Sequence, residues 1–395
     1  TGHNLTGHIA SISRIEKEHY LWMDKFTIRN LELFYSPNEG AKTLVDVLDN
    51  SISAMGSRLL KRWIALPLKD EKPINKRLEV VEYLMQNNEF TSLIKEQISQ
   101  IGDLERTISK VATARISPRE CMQLKIALQS LLPIKKACQN SSEKTIKNIG
   151  KQINICTEIK EKLEKELHPN PPALLHKGNV INKGVCIELD ELREIANSGK
   201  AILQQIQERE TERTGIPSLK ISFNNVFGYY LVVRNTHKDK VPEDWIRKQT
   251  LVSAERYITE ELKEYESKIL TAEEKIKELE QKLYQDLVLN LTKFIAPIQL
   301  NARLIAQLDC LYSFSFISKK YNYKKPIIDN GKSLIIKGGR HPVIERQLKA
   351  GESYVPNNTQ LDRNNQQIIM ITGPNMSGKS ALLRQTALIV LMAQI

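Results

Sequence analysis

The sequence predicts a multidomain, mainly α-helical protein with an inserted β-rich segment, followed by the start of an α/β domain. Three observations predict this class. Apolar residues recur at spacings of three and four over most of the chain, as on the buried face of a helix. Residues 219–235 alternate in the manner of strands, and residues 366–395 read as strand, glycine loop and helix. The 395 residues suffice for two or three domains with buried cores.

The first half of the chain reads as a set of helices. The stretch 43–68 is predicted to be helical and to end at Pro67. Its apolar face is Leu59, Leu60, Trp63 and Ile64, and its candidate capping residues are Asn50, Ser51 and Ser53. Helical patterns continue from Ile74 to about Cys138, and the Pro- and Gly-rich residues 168–184 read as a connection.

Two long helices are predicted on either side of the β-rich segment. The first runs from about Glu188 to Gly215, and the second begins near Ile258. The apolar stripe of the first is Leu189, Leu192, Ile195, Ile202 and Ile206, and the heptad-like seam of the second is Leu262, Tyr265, Ile269, Ala272, Ile276, Leu279 and Leu283. The register slips at Asp286, and Pro297 marks a break. Since only about three heptads hold, we expect packing against a neighbouring helix rather than the alternative, a dimeric coiled coil.

The β-rich segment lies between these two helices. Leu219, Ile221 and Phe223 alternate with polar residues, and a second β-prone run extends from Tyr229 to Val233. The intervening residues NNVFG suit a hairpin with a longer loop. We therefore expect two long antiparallel helices with a β tip, in which about 30 residues of helix would reach about 45 Å.

The charge of the chain favours a polyanionic partner. Its 58 Lys and Arg residues against 46 Asp and Glu give a net charge of +12, which indicates DNA or RNA first and an anionic membrane second. Segment 219–258 carries seven basic and four acidic side chains, a net of +3. The candidate phosphate-binding residues are Lys220, Arg234, Lys238, Lys240, Arg247 and Lys248. The alternative for each is an ordinary solvated surface, and for Arg256 the alternative is an ion pair with the neighbouring Glu255.

Several function classes find no support in the sequence. The five cysteines are odd in number, widely spaced and without a CxxC pair, so we expect free thiols in a reducing compartment and no zinc site. The apolar run at 387–393 is too short to span a bilayer, and the first residues do not resemble a signal peptide. No paired carboxylates, Ser-His-Asp or Cys-His arrangement stands out, and His341, before Pro342, reads as structural.

A phosphate-binding loop is predicted near the end of the chain. Gly373, four residues, then Gly378, Lys379 and Ser380 have the Walker A spacing. Glycines allow the backbone N–H groups to converge on phosphate oxygens, and the helix N-terminus favours the same anion. The lysine would reach the β- and γ-phosphates, and the serine hydroxyl would bind Mg²⁺. A buried strand at 368–371 and a buried helix at 382–395 are expected around it, and a glycine-rich turn without ligand is the alternative.

These residues resemble the MutS family of DNA mismatch repair proteins over nearly the whole chain. TGPNMSGKS followed by LLRQTALIVLMAQI carries the resemblance at the loop, and GGRHPVIE at 338–345 resembles the entry to the ATPase domain. MDKFTIRNLEL, LDNSISAMGSRLLKRWIALPL and GDLERTISKVA resemble the helical core. TGIPSLKISFNNVFGYYLVV and RKQTLVSAERYITEELKEYE resemble the DNA clamp between lever helices.

The resemblance implies a domain organisation. A helical core and first lever would occupy 1–205, the clamp 206–260, the second lever and return to the core 261–325, and the truncated ABC-type ATPase domain 326–395. It also implies ATP and Mg²⁺ as cofactors, and mismatched double-stranded DNA, a second subunit and a MutL-type protein as partners, in the bacterial cytosol. The chain is expected to be a fragment, because the family's Phe-x-Glu motif and its acidic Walker B strand have no counterpart here, and to be inactive alone as an ATPase.

The resemblance also assigns individual residues to the nucleotide. The loop residues are Gly373, Pro374, Asn375, Met376, Ser377, Gly378, Lys379, Ser380 and Ala381, the last replacing a threonine found in many relatives. Tyr354 falls where the family has an aromatic residue stacked on adenine, with a spacing one residue longer than in some relatives, and an ordinary packed tyrosine is the alternative. Two other functions remain open: a recombination or meiotic relative without a mismatch-reading domain, and a non-catalytic DNA-binding module.

Overall fold

The computed structural model describes residues 17–224, 226–349, 351–374 and 377–395. The helices of these ranges are α1 Lys25–Asn30, α2 Leu44–Leu48, α3 Ala54–Ala65, α4 Glu71–Gln86, α5 Asn88–Ile101, α6 Leu104–Ala112, α7 Pro118–Asn140, α8 Lys144–Gln152, α9 Thr157–Glu166, α10 Ile187–Thr214, α11 Glu260–Thr292, α12 Ile295–Tyr321 and α13 Lys379–Gln394. The strands are β1 Lys220–Asn224, β2 Gly228–Arg234, β3 Ile246–Thr250, β4 Ala254–Ile258, β5 Leu334–Gly339 and β6 Asn357–Leu361. The predicted fold class, mainly helical with small antiparallel sheets in several domains, is confirmed.

The chain forms two compact units. The first contains Thr1–Ile116, Gln123–Lys160 and Leu291–Ile395, and the second contains Ser117–Met122 and Glu161–Asn290. In the first unit, α12 is apolar on nearly all sides and packs against α3, α4 and α6, because a helix without a polar face must be enclosed. One face of α13 joins the same unit through Leu388 and Leu391.

The stretch 43–68 is helical as predicted, in two helices, α2 and α3, and of the candidate capping residues Ser53 is the N-cap of α3. The capping box of Thr43 and Asp46 begins α2, and the Ser53 side chain accepts the Gly56 N–H at the start of α3. The buried carboxylate of Asp309 accepts the N–H groups of Ile52 and Ser53 at 2.8 Å each. These partners satisfy the backbone where the helix is interrupted.

In the second unit, α10 and α11 run antiparallel. Three ion pairs join them: Arg193 with Glu280 at 2.5 Å, Lys200 with Glu273 at 2.6 Å, and Arg209 with Glu261. As the residue number rises along α10, that of its partner falls along α11. The 28 and 33 residues of the two helices correspond to lengths of about 42 and 50 Å.

The buried stripes of these helices differ in part from the predicted ones. Ile195 is 48% exposed, and the buried positions beside it are Ala196 and Gly199. On α11, Leu279 and Leu283 are only half buried, whereas Glu280 and Tyr284 are buried. The register therefore shifts before Asp286, because a straight helix of 3.6 residues per turn drifts away from a strict heptad. The predicted break occurs between α11 and α12, and Pro297 lies in the first turn of α12.

The inserted sheet has the strand order β1-β2-β4-β3, with all neighbours antiparallel. The predicted hairpin is present, with Asn224 opposite Gly228. One face of the sheet packs on α10 and α11 through Leu231, Val233 and Tyr257, which share an apolar cluster with residues of both helices. The sheet is therefore attached to the helix pair, as the prediction of a β tip on two antiparallel helices requires.

The segment before the glycine loop departs from its prediction. After α12, the antiparallel pair β5 and β6 precedes the loop. A buried strand at 368–371 does not appear in the described ranges, where Ile368 is 83% and Met370 86% exposed. A strand depends on a neighbour for its backbone hydrogen bonds, and no described segment pairs with these residues. None of the described helices has the length and apolar character needed to cross a membrane.

Candidate nucleotide site and DNA-binding sheet

The glycine loop requires glycine at both predicted positions. Gly378 adopts φ +88°, a left-handed conformation that disfavours side chains, and directly precedes α13. Gly373 adopts φ +154°, and a Cβ there would lie 2.8 Å from the Ser377 Oγ, so a larger residue would displace this serine side chain. Asn375 and Met376 lie outside the described residues. The glycines thus allow the tight curvature with which the chain enters the helix.

The one lysine of the loop, Lys379, folds back onto the backbone of the loop. Its ammonium donates hydrogen bonds to the carbonyl oxygens of Gly373 and Pro374, the latter at 3.1 Å. The first turn of α13 contains no acidic residue, so the positive end of the helix is not neutralised locally. Ser380 is exposed in this turn, and Ala381 is half buried. Such a loop presents an ammonium, unpaired N–H groups and a hydroxyl to an anion.

Tyr354 is connected to the helix that follows this loop. Its hydroxyl donates a hydrogen bond of 2.8 Å to the Oε1 of Gln385, which is fully buried on α13. Burial, and to a lesser extent the negative charge of Glu345, raise the pKa of Tyr354. The tyrosine is therefore a neutral hydrogen-bond donor, and its half-buried ring is adjacent to the same helix as the loop lysine. Sequence reasoning did not identify Gln385, and its position inside a helix gives no signal of this role.

An ion pair fixes α13 within its unit, and a buried histidine stabilises a turn near it in the same unit. Arg384 forms an ion pair of 2.7 Å with Glu32. His341 is buried, and its Nδ1 lies 3.3 Å from the Val343 nitrogen and 3.2 Å from the Ile344 nitrogen, from which it accepts hydrogen bonds. Burial lowers the pKa of His341 to about 4, with a further contribution from the charge of Arg384. The imidazole is neutral near pH 7 and serves as an acceptor for a turn.

The six candidate DNA-binding residues occupy different environments. Among the described residues, the side chains of Lys220, Arg234, Lys238 and Lys248 are exposed and have no acidic partner. Lys240 donates a hydrogen bond of 3.2 Å to the Gly215 carbonyl, at the C-terminal end of α10. Arg247 lies 3.5 Å from the Glu255 carboxylate. The last two side chains are therefore partly engaged inside the protein.

The strand register places a basic surface on the outer face of the sheet. Lys220 lies opposite Val232, which in turn lies opposite Arg256, so these three occupy one row across β1, β2 and β4. Arg234 follows two residues later on the same face. The alternative of an ion pair between Arg256 and Glu255 is wrong, because neighbouring residues of a strand point to opposite faces. Arg256 instead stacks on the Tyr230 ring at 4.5 Å and donates to Gln249 at 2.7 Å.

Other kinds of site find no support in the described part of the chain. No group of three or more His, Cys, Asp or Glu residues there could hold a metal ion. The five cysteines are free, and four of them, Cys121, Cys138, Cys156 and Cys310, are buried. Burial raises the pKa of Cys121 and Cys138 to about 12, which makes these thiols poor nucleophiles.

Comparison with known proteins agrees with these features. The family model of MutS domain III matches residues 26–315, and that of MutS domain V matches residues 369–395. The chain is 60% identical over 394 residues to the DNA mismatch repair protein MutS of Phocaeicola vulgatus and 59% identical over 395 residues to that of Bacteroides fragilis. These alignments cover 100% of the chain but 45% and 46% of the relatives, so the chain spans about half of their length. The chain therefore belongs to the MutS family.

Proposed function

We propose that this chain is the core, clamp and nucleotide-loop part of an ATP-dependent DNA mismatch repair protein. The observation that carries the proposal is the loop, in which the Lys379 ammonium folds over the carbonyl oxygens of Gly373 and Pro374 at the uncompensated N-terminus of α13. The proposed division is core and first lever at 1–205, clamp at 206–260, second lever at 261–325 and ATPase segment at 326–395. The free thiols and the family fit a cytosolic location.

The residues present fit a nucleoside triphosphate with Mg²⁺. The N–H groups of residues 378–381 would bind phosphate oxygens, since the first four N–H groups of a helix have no helical acceptor. Lys379 would exchange its contacts with loop carbonyls for contacts with the β- and γ-phosphates, and Ser380 would bind the metal ion. When bound, Mg²⁺ neutralises part of the phosphate charge. Tyr354 would stack on the adenine with its half-buried ring.

The sheet of β1 to β4 is proposed to bind double-stranded DNA through its phosphates. Lys220, Arg234, Lys238 and Lys248 are the strongest candidates, because their charges are exposed and have no acidic partner in the described ranges. We add Arg256, whose strand position lies in the same row as Lys220, with weaker support because its guanidinium already contacts Gln249 and Tyr230. Lys240 and Arg247 stay candidates with weaker support, since each has a partner in the protein. Contacts of this kind hold DNA without reading its sequence.

The nucleotide is proposed to act as a switch for the clamp. We propose that the helix pair of α10 and α11 acts as a rigid element, because Gly199 packs closely on Ile269 and the buried Glu280 pairs with Arg193. A small nucleotide-dependent shift at one end of a rigid pair would displace the sheet at the other. In the intact gene product, this displacement would close the clamps of two subunits around mismatched DNA, so that the protein could slide. A MutL-type protein is the proposed downstream partner.

ATP turnover by these 395 residues alone is not expected. The last acidic residue of the sequence is Asp362, so no carboxylate follows the loop to position a water or a metal ion. An ATPase assay on the 395-residue chain tests this expectation. Turnover comparable with that of the intact gene product would contradict it and would assign the chemistry to residues present here.

The phosphate-loop assignment is tested by Lys379→Ala in the intact gene product. The variant should bind ATP–Mg²⁺ at least about 100-fold more weakly, since a charge-assisted contact to phosphate is lost. Lys332→Ala, which changes an exposed lysine of the same segment, is the matched control and should bind normally. Isothermal titration calorimetry measures both. Equal affinity of Lys379→Ala and the wild-type protein would remove the assignment.

A further inference from the structure

The contact between Tyr354 and Gln385 connects two parts of the proposed nucleotide site. Tyr354 precedes β6 and is half buried, whereas Gln385 lies on α13 and is completely buried. Their side chains share a hydrogen bond of 2.8 Å from the tyrosine hydroxyl to the Gln385 Oε1. This hydroxyl lies on the far side of the ring from its Cβ, so the bond fixes the ring at its free end. A ring anchored at its Cβ and at its hydroxyl keeps the direction of its long axis, and with it the side-chain rotamer.

The surroundings of Gln385 are built to accommodate an amide. A Cβ at Gly339, at the end of β5, would lie 2.7 Å from the Gln385 Nε2, so glycine leaves the room that this group needs. Within the described part of the chain, the buried Nε2 has no hydrogen-bond partner. An unsatisfied buried amide is costly compared with an apolar side chain of the same size. The other end of the amide, the Gln385 Oε1, offsets part of this cost by accepting the hydrogen bond of the Tyr354 hydroxyl.

We propose that Gln385 is a positioning residue that holds the Tyr354 ring where it stacks on the adenine of ATP. The inference rests on the proposed nucleotide site, and it adds a residue and a physical role to it. Without the hydrogen bond, the ring samples other rotamers, and only a fraction of the molecules present it correctly. The apparent affinity for an adenine nucleotide then falls in proportion to that fraction.

The position of Gln385 also gives the contact a second consequence. Gln385 follows Lys379 by six residues and Ser380 by five on the same helix, a rise of about 9 and 7.5 Å. The same helix therefore carries both the phosphate-binding side chains and the residue that orients the base-binding ring. Its neighbour Arg384 is fixed by the ion pair with Glu32. The distance between the base end and the phosphate end of the site is thus set by one rigid element.

The experiment compares two ligands on two variants of the intact gene product. Tyr354→Phe keeps the ring and removes the hydroxyl, and Gln385→Met keeps the buried volume and removes the acceptor. Each should weaken ATP–Mg²⁺ by about three- to tenfold, the effect of one lost hydrogen bond. Inorganic tripolyphosphate, which has no base, should bind each variant as it binds the wild-type protein. A general loss of structure would weaken both ligands, so the comparison separates positioning from stability.

The double variant and one control sharpen the result. Because both substitutions remove the same hydrogen bond, Tyr354→Phe combined with Gln385→Met should bind ATP within about twofold of the weaker single variant. Leu383→Met changes an exposed residue of α13 and should leave both affinities unchanged. If Gln385→Met does not fold, as its melting temperature would reveal, Tyr354→Phe still tests the inference from the exposed side of the contact.

Tyr354→Ala separates the inference from the function on which it rests. If Tyr354→Ala weakens ATP while Tyr354→Phe and Gln385→Met do not, the ring binds adenine and the positioning role of Gln385 is wrong. If Tyr354→Ala leaves the affinity for ATP unchanged, the adenine contact itself is wrong, and the inference falls with it. Additive effects in the double variant would also overturn the inference, because they would show that the two side chains act separately.

Discussion

At the scale of single residues, burial decides the chemistry of His341. The ring accepts two backbone N–H groups of its own turn through Nδ1 and is almost completely enclosed. Enclosure and the nearby Arg384 charge disfavour the protonated ring, while Glu32 opposes this effect more weakly. The pKa of His341 therefore falls to about 4 from the usual 6.5. His341, which follows β5 in the sequence, is therefore neutral near pH 7 and contributes to structure rather than to acid–base chemistry.

His341 should make stability depend on pH below neutrality. Above pH 6.5 the ring is neutral in both the folded and the unfolded chain, so its contribution is constant. Below pH 6.5 only the unfolded chain takes up the proton, and stability is lost as the pH falls toward the folded pKa of about 4. In the His341→Asn variant, the Asn Oδ1 can accept the same N–H groups but does not titrate. When the pH falls from 7 to 5, this variant should therefore lose less unfolding free energy than the wild-type chain, by on the order of 1–2 kcal/mol.

Urea unfolding at the two pH values measures this difference. The mutant and the wild-type chain share all their other titratable groups, so the comparison isolates residue 341. Equal losses of unfolding free energy in the two proteins would show that the folded ring is protonated as easily as the unfolded one.

Residues of the loop could be predicted from the sequence, whereas their supports could not. Gly378 and Lys379 belong to a spacing that is typical of phosphate-binding loops. Gln385 and Glu32 are ordinary residues in sequence, and their contacts with Tyr354 and Arg384 depend on chain segments more than 30 residues away. The alternative of an ion pair between Arg256 and Glu255 was wrong because the direction of a side chain depends on the strand register.

At the scale of elements, the close approach of α10 and α11 depends on Gly199. A Cβ at this position would lie 2.5 Å from the Ile269 Cγ1, so the helices could not keep their present separation. Ile269 belongs to the apolar cluster that also contains residues of the sheet. A displacement of the Ile269 side chain would therefore also affect the packing of the sheet. Gly199 is therefore a packing residue in a helix where glycine is otherwise unfavourable.

Gly199→Ala should destabilise the helix pair although alanine is the better helix former. The gain in helix propensity is about 1 kcal/mol, and the clash with a buried branched side chain costs about 2–3 kcal/mol, so a net loss of about 1–2 kcal/mol is expected. Ser198→Ala, at the exposed neighbouring position, should be neutral or slightly stabilising. Urea unfolding followed by circular dichroism measures both, and a stabilising Gly199→Ala would contradict the close packing.

The elements could be predicted where the periodicity of apolar residues was clear. The hairpin of β1 and β2 was recognisable from its alternation, but β3 and β4 were missed, because IRKQT is mostly polar and charged and AERYI places two charged residues side by side without alternation. These strands form because they extend a sheet that already has an apolar face, which is a tertiary effect. The strand expected at 368–371 is absent from the described structure. Its residues are apolar, but no described strand lies beside them to accept and donate backbone hydrogen bonds.

At the scale of the whole molecule, the distribution of charge indicates where a polyanion would bind. The chain has a net charge of +12, and the outer face of the inserted sheet presents Lys220, Arg234 and Arg256 together. Cationic side chains on adjacent strands, with separations set by the ladder, suit the regular phosphates of a duplex. The composition alone predicted a polyanionic partner, but only the strand register indicates which face is basic.

Removing two positive charges from the outer face of the sheet should lower the affinity for DNA and reduce the dependence of that affinity on salt concentration. We expect Lys220→Ala with Arg234→Ala to lower the affinity of the intact gene product for duplex DNA. The slope of log affinity against log salt should fall by about 2, one for each lost phosphate contact. Lys61→Ala with Arg62→Ala, which removes the same charges from the exposed face of α3, is the control and should leave the slope unchanged. Fluorescence anisotropy from low to moderate salt measures the slopes, and equal slopes in the two double variants would contradict the assignment of the sheet.

The proposed switch predicts that nucleotide bound at the Lys379 loop controls how long the clamp stays on DNA. The most direct measurement is the lifetime of the intact gene product on a mismatched duplex with both ends blocked, with and without ATP–Mg²⁺. We expect ATP to lengthen that lifetime on blocked duplex but not on duplex with open ends, and we expect Lys379→Ala to abolish the difference. Lifetimes that do not change with ATP, or that change equally in Lys379→Ala, would contradict the coupling of the phosphate loop to the clamp.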